Sequence, residues 1–267
     1  MKVFAINLKD SVERKEHIIK ECAKYGIIPE ICEAVDGRLL TEQELLMNAK
    51  DYKINGLTRG EIGCSLSHLN IYKKIIEDNI DIALILEDDA IFKEDINKIL
   101  EEINKFNKST DKSFLYLLSK SYSYISNRSI KLGSITLYDI YRASLTHGYV
   151  INNKAAKSLA AYVHPVRYTA DDWKMLKFGA NINIFCVVPE ITDTLSSFSS
   201  VIQGRNEFEK MRRAYMKKLF FIDFSTNIKI FIYRFLQRPL LKVVHIRKST
   251  TPIEKIKKKL KKIFNKQ

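Results

Sequence analysis

IDIALILEDDAIF, residues 80–92, is a short apolar run that stops at three consecutive acids. Ile80, Ile82, Ala83, Leu84, Ile85 and Leu86 are too few for a typical helix and too uniformly apolar for a half-exposed strand, so the run predicts a buried strand. Such a strand suits the centre of a parallel sheet covered on both faces, where ligands bind outside the carboxyl ends of the strands. Glu87, Asp88 and Asp89 stand at that end. Adjacent carboxylates repel one another and are costly to desolvate, so they need solvent, donors or a cation. Two readings follow. Glu87 and Asp89 hold Mg2+ or Mn2+, whose remaining positions take water or the phosphates of a nucleotide, or Asp88 or Asp89 ends the strand and caps the next helix.

The flanking segments extend the pattern. Residues 2–8 predict a strand ending near Asn7, and Ser11 is placed to cap a helix that begins at Val12, carries Arg14 in its first turn and stops at Gly26. Residues 27–35 predict a second strand interrupted by Pro29. A strand, a helix and a strand in this order indicate an α/β doubly wound sheet, without a glycine-rich dinucleotide fingerprint. Asn7 and Arg14 then lie near the carboxyl edge. Arg14 is placed for a phosphate or, equally, for solvent, and Asp36 for a ribose hydroxyl or for an ordinary Asp-Gly turn.

Thr41 and Glu44 form a capping-box signal for a short helix. Residues 56–63 read as a less regular connection to a long helix with Leu66, Leu69, Ile71, Tyr72, Ile75 and Ile76 on its apolar side and Ser67 and His68 near its start, placed either for a ligand or for packing. After the acids come a helix over 96–106 and strands over 114–118, 135–141 and 149–151. The intervening SKSYSYISNRS, residues 119–129, is polar and aromatic, and with the strands that follow it reads as an acceptor-side excursion. Tyr122, Tyr124, Tyr138 and Tyr141 are available to stack on a sugar or, equally, are ordinary exposed strand aromatics. A helix over 152–162 is bounded by Pro165, and residues 182–188 give the last core strand. Asp171 and Asp172 form a second acidic pair, either a helix start or a base that accepts a proton from a substrate hydroxyl. The spacing does not choose between the two.

Composition restricts the classes. The 267 residues are 46% hydrophobic, enough for a substantial core. The formal charge is +14, and it is uneven: residues 205–267 hold nineteen Lys or Arg against four Asp or Glu, which leaves residues 1–204 close to neutral. The division expected is a catalytic domain over 1–204 followed by a basic helical segment over 205–267. Residues 220–236 read as an interfacial helix or a helical hairpin. At the end, Ile253, Ile256, Leu260, Ile263 and Phe264 share one side of a helix whose other side is lysine, a pattern for an anionic membrane surface. No aromatic-basic RNA motif or DNA-reading unit accompanies the charge, so nucleic acid is not the expected partner. Cys22, Cys32, Cys64 and Cys186 lack paired ligand spacing, which argues for reduced thiols and against a zinc site. With no signal peptide or membrane-length apolar run, the expected location is the cytoplasm, at the inner face of the cytoplasmic membrane.

AINLKDSVERKEHI at residues 5–18, AVDG at 34–37, GEIGCSLSH at 60–68 and LILEDDA at 84–90, with HGYVINNKAA at 147–156, together resemble the bacterial lipooligosaccharide galactosyltransferases of glycosyltransferase family 25. The resemblance implies a GT-A-like Rossmann-type domain with a mixed central sheet, a UDP-sugar donor, a divalent cation and inversion at the anomeric carbon. It implies UDP-galactose as donor, with UDP-glucose or a UDP-N-acetylhexosamine as alternatives, and a lipooligosaccharide acceptor. Glu87, Asp88 and Asp89 match the family's acidic cation motif, with Glu87 in the first position. Asn7, Arg14 and Asp36 fall where donor contacts are expected, and His68, His147 and Asp172 in segments nearer the chemistry. A non-catalytic nucleotide-sugar-binding protein of the same fold is the alternative.

Overall fold

The computed structural model describes residues 1–93, 95–133, 135–195, 205–222, 224–233 and 240–245. In chain order the elements are β1 (Lys2–Asn7), α1 (Val12–Ala23), β2 (Glu30–Glu33), α2 (Glu42–Asn48), α3 (Tyr52–Asn55), α4 (Arg59–Glu77), β3 (Ile82–Glu87), β4 (Ala90–Phe92), α5 (Ile96–Lys108), β5 (Phe114–Leu117), β6 (Ser121–Leu132), β7 (Ile135–Ala143), β8 (Gly148–Asn152), α6 (Asn153–Val163), α7 (Trp173–Gly179), β9 (Asn183–Val187), β10 (Thr192–Thr194), α8 (Arg205–Ile222), α9 (Phe224–Ile232) and β11 (Val243–His245). Nine strands form one mixed sheet in the order β11-β6-β7-β9-β5-β8-β3-β1-β2, and β4 and β10 pair separately.

The apolar run of β3 is explained by burial on both faces. Ala83 and Ile85 join Phe4, Ile6, Tyr72, Ile75, Tyr149 and Trp173 in one core layer, while Ile82, Leu84 and Leu86 join Val3, Ala5, Ile18, Ile99 and Ile103 in the other. Each fully buried Leu, Ile or Phe among them contributes about 1.5–3 kcal/mol. β3 runs parallel to β1 on one side but antiparallel to β8 on the other. The sheet is therefore GT-A-like and mixed rather than purely parallel at its centre, and the antiparallel neighbour matters for the site.

The connection expected over 56–63 is instead the start of a helix. Thr58 accepts from the backbone of Glu61 while Glu61 reaches back to the N–H of Thr58, a complete capping box that starts α4 at Arg59. The glycines here serve packing. A Cβ on Gly63 would lie 2.5 Å from the Val35 carbonyl oxygen and 2.7 Å from the Gly37 nitrogen, and one on Gly37 would strike the Arg59 carbonyl. Ser67 Oγ completes the joint, accepting from Val35 N–H at 2.8 Å and donating to the Gly63 carbonyl at 2.8 Å. AVDG and GEIGCSLSH are thus two sides of one backbone-to-backbone contact. Gly63→Ala is expected to cost about 1–3 kcal/mol, read as a Tm lowered by several degrees. An unchanged Tm would show that α4 and the 34–37 loop separate at no cost.

One further expectation is corrected. Residues 119–129 are not an excursion but most of β6, whose Ser121, Ser123 and Ile125 are buried at alternate positions; the period of two was present in SYSYI. Beyond residue 204, the described segments include helices α8 and α9 and pack on the residues before them. Tyr215, Leu219 and Ile230 form a cluster with Tyr168 and Met175, Tyr215 donates to Asp51 at 3.0 Å, and β11 pairs with β6. The amphipathic stretch 253–264 lies outside the described residues.

Candidate active site

β1, β3 and the first turn of α1 converge on the three acids. Asn7, the last residue of β1, donates from Nδ2 to Asp88 Oδ2 at 2.8 Å and to the Ser11 carbonyl at 3.1 Å. Arg14 donates from Nε to Asp88 Oδ1 at 2.7 Å and from Nη2 to Asp89 Oδ2 at 2.9 Å. Asp88 is buried, with both oxygens engaged. It therefore locks the turn after β3, and Arg14, which borders the same cleft, clamps Asp88 and Asp89.

The antiparallel register of β3 and β8 brings in residues distant in sequence. Glu87 N–H donates to the His147 carbonyl at 3.1 Å. The Glu87 carboxylate accepts from the Thr146 hydroxyl and pairs with His147 Nδ1 at 3.2 Å. Leu145, just before them, has φ 81°, a left-handed conformation that a branched side chain rarely adopts. Two bonds hold it there: its N–H donates to Asp171 Oδ2 at 3.3 Å, and its carbonyl accepts from Trp173 Nε1 at 2.9 Å. This backbone turn aims Thr146 and His147 at Glu87, with strain of about 1–3 kcal/mol held by its surroundings.

Glu87, Asp89 and His147 each present a ligand atom, all within 4.8 Å of one another. Burial pushes the Glu87 carboxyl up, but His147 and His68 beside it prevail and hold it well below the usual carboxylate range. Asp89 shifts upward, because burial and the charge of Glu87 outweigh Arg14. Burial opposes charge on His147, yet Glu87 raises its pKa. Asp89 Oδ1 is buried without a hydrogen-bond partner and faces His147 Nδ1 at 3.7 Å. Buried polar atoms are rarely left so. An orphaned anionic oxygen beside a second carboxylate and an imidazole is a donor set that fits a divalent cation.

These residues line a cleft of about 400 Å3 at the carboxyl ends of β1, β2 and β3, together with Asp36, His68 and Asp171. Asp36 accepts from the backbone and guanidinium of Arg38, so at the rim it is already paired. His68 is buried, with Nδ1 at 2.7 Å from the Tyr149 hydroxyl. Asp171 lines both this cleft and an adjoining one edged by Tyr122 and Tyr141. Asp172 borders only the second. It caps α7 by accepting from Met175 N–H at 3.4 Å, and burial pushes its carboxyl up. The two neighbouring acids are thus separated by orientation. Thr146, Leu145 and Tyr149 escaped the sequence reading; only HGYV, next to a buried-strand pattern, pointed toward them.

A family model described as glycosyltransferase family 25 (LPS biosynthesis protein) matches residues 1–174. Procollagen galactosyltransferase 2 of Mus musculus is 31% identical over 59% of this chain and 27% of its own length. A glycosyltransferase 25 family member of Drosophila melanogaster is 30% identical over 68% of this chain and 31% of its own, and an inactive glycosyltransferase 25 family member 3 of Mus musculus is 30% identical over 38% of this chain. The chain spans less than a third of the length of these curated relatives. A solved mannose-1-phosphate geranyltransferase from Thermus thermophilus is similar at 10% identity and a TM-score of 0.33, covering 72% of this chain and 76% of that one; so loose a superposition carries no residue correspondence. The cytoplasmic, inner-membrane-face location is corrected by the relatives named procollagen galactosyltransferase, which are secretory-pathway luminal enzymes. Among the described residues no helix is long and apolar enough to cross a membrane. The acid cluster, its clamp, His147 and Asp171 all fall inside the matched residues, and the chain belongs to glycosyltransferase family 25.

Proposed function

We propose that this chain transfers galactose from UDP-galactose to a saccharide hydroxyl, with inversion at the anomeric carbon, and that a lipooligosaccharide is the acceptor. The observation that carries this is the orphaned Asp89 Oδ1 beside Glu87 and His147, in a cleft that meets a second cleft at Asp171. The galactosyl donor is supported by the names of the relatives, and the acceptor by the family model's description.

Glu87, Asp89 and His147 would hold Mn2+ or Mg2+, while Asn7 and Arg14 fix the turn that carries the acids. When bound, such an ion supplies Lewis-acid stabilisation of a diphosphate leaving group. Arg14 adds a fixed positive charge on the same side of the cleft. The Asp171 carboxylate accepts the proton of the acceptor hydroxyl as its oxygen forms the new bond to the anomeric carbon. The bond from that carbon to the diphosphate breaks, and its electron pair leaves with UDP. One displacement turns the α-linked donor into a β-galactoside.

A screen of UDP-sugars with the full chain, lipooligosaccharide or procollagen peptide as acceptor, and Mn2+ or EDTA, tests the proposal. The expected outcome is UDP release from UDP-galactose with the lipooligosaccharide, abolished by EDTA, and a β-linked product by NMR. Transfer to the procollagen peptide alone would replace the acceptor, and an α-linked product would overturn the single displacement. No UDP release from any UDP-sugar would leave a nucleotide-sugar-binding protein.

A further inference from the structure

Cys64 and His68 stand one turn apart on the same face of α4, and both border the cleft beside Glu87. Each of the three offers a ligand atom, the atoms lying within 4.8 Å of one another. Glu87 therefore belongs to two groups, one of two carboxylates and an imidazole with Asp89 and His147, the other of thiol, imidazole and carboxylate with Cys64 and His68. We propose that Cys64, His68 and Glu87 form a second site, for a thiophilic divalent ion such as Zn2+, and that its occupation withdraws Glu87 from the first.

The setting of His68 suits a ligand. The ring is 2% exposed, and Nδ1 is taken by the Tyr149 hydroxyl, itself 3.0 Å from that of Tyr72. Tyr149 is in turn wedged edge-on against Trp173 at 5.3 Å. A hydrogen bond on one ring nitrogen orients the other and is the usual outer support of a ligating histidine. Here the other nitrogen, Nε2, lies 3.7 Å from Glu87 Oε1. That separation is too long for a hydrogen bond, but it is within a few tenths of an ångström of the roughly 3.3–3.5 Å between a nitrogen and an oxygen bound to one tetrahedral zinc ion. The thiol decides selectivity. Sulfur and imidazole favour zinc, whereas two carboxylates favour the hard ions. Zinc also binds nitrogen, oxygen and sulfur sites more tightly than manganese, so it draws Glu87 away even when manganese is abundant. The competition rests on the transferase reading above; the binding of the ion does not.

Co2+ titration of the metal-free full chain reads the site directly, through thiolate-to-cobalt charge-transfer absorption. The band is expected in the parent protein and in Asp89→Asn, and absent in Cys64→Ser. Cys64→Ala repeats the loss with an apolar side chain at this half-buried position. No band in the parent, or a band that survives both substitutions at Cys64, overturns the site. Zn2+ inhibition of Mn2+-supported transfer, scaled to each protein's own zinc-free rate, reads the competition. Cys64→Ser is expected to raise the half-inhibiting Zn2+ concentration about tenfold or more; equal inhibition of both proteins would place zinc at Asp89 and His147 and overturn the competition. Absence of transfer from every UDP-sugar would sink the functional reading while the cobalt band still decides the site.

Discussion

Asp89→Asn is expected to lower galactosyl transfer by about 10²–10³-fold and to remove the Mn2+ dependence of UDP binding, with the fold unharmed. The substitution takes a charge from the only one of the three acids with a buried, unpartnered oxygen among the described residues. Stability should hold for two reasons. Asp88 keeps its bonds from Asn7 and from Arg14 Nε, so the turn stays locked. The Asp89 carboxyl is already shifted upward by burial and by Glu87, so its ionised form opposes folding and a neutral amide of the same shape relieves that opposition. Calorimetry of UDP binding with and without Mn2+, beside a thermal melt, separates the two effects. Unchanged cation-dependent binding would reduce Asp89 to a turn residue. A collapsed melt would mean that the Arg14 pair carries the fold. Asp88→Asn makes the contrast, since both its oxygens accept bonds inside the protein and its loss should appear first in the melt.

Asp171→Asn should lower kcat by about 10²–10⁴-fold with the KM for UDP-galactose nearly unchanged, because the carboxylate borders both clefts and is not one of the cation ligands. The amide still accepts from Leu145 N–H, so the strained turn that aims His147 survives. Asp172→Asn is the control one residue away. Its carboxylate accepts from Met175 N–H at the start of α7, and even complete loss of a cap costs about 0.5–2 kcal/mol of stability, with turnover little affected. Steady-state kinetics of the two variants decide the assignment. The reverse pattern would move the base to Asp172, and equal losses in both would point to a shared role in holding the 169–173 turn.

Much of the fold is legible in local pattern. The double-faced apolar run of β3 fits only a covered strand, and Asn7, Val12 and Gly26 bracket a strand and a helix close to their observed ends. The Thr41–Glu44 capping box is formed as its spacing requires. Local physics fails where a residue's reason lies elsewhere in the chain. Gly60 and Gly63 resemble a loop because nothing nearby shows the 34–37 backbone against which Gly63 packs. Residues 119–129 resemble an excursion because polar serines at every second position suggest exposure, whereas in β6 Ser121 and Ser123 face the interior.

The order of the elements, the position of the acids at a strand's carboxyl end and the chemistry open to them were determined by the sequence alone, since each depends on side-chain type and spacing over a few residues. The division of roles among those acids was decided only by the tertiary structure. Asn7 and Arg14 turn Asp88 inward, and the antiparallel register of β8 sets His147 on Glu87. Helix α4 brings Cys64 to the same carboxylate, so cysteine spacing along the chain could not show a metal-ligating group. A charge's partner is chosen by distance in space, and strand register and helix packing, which set that distance, join His147 to Glu87 across 60 positions and Arg14 to Asp88 across 74.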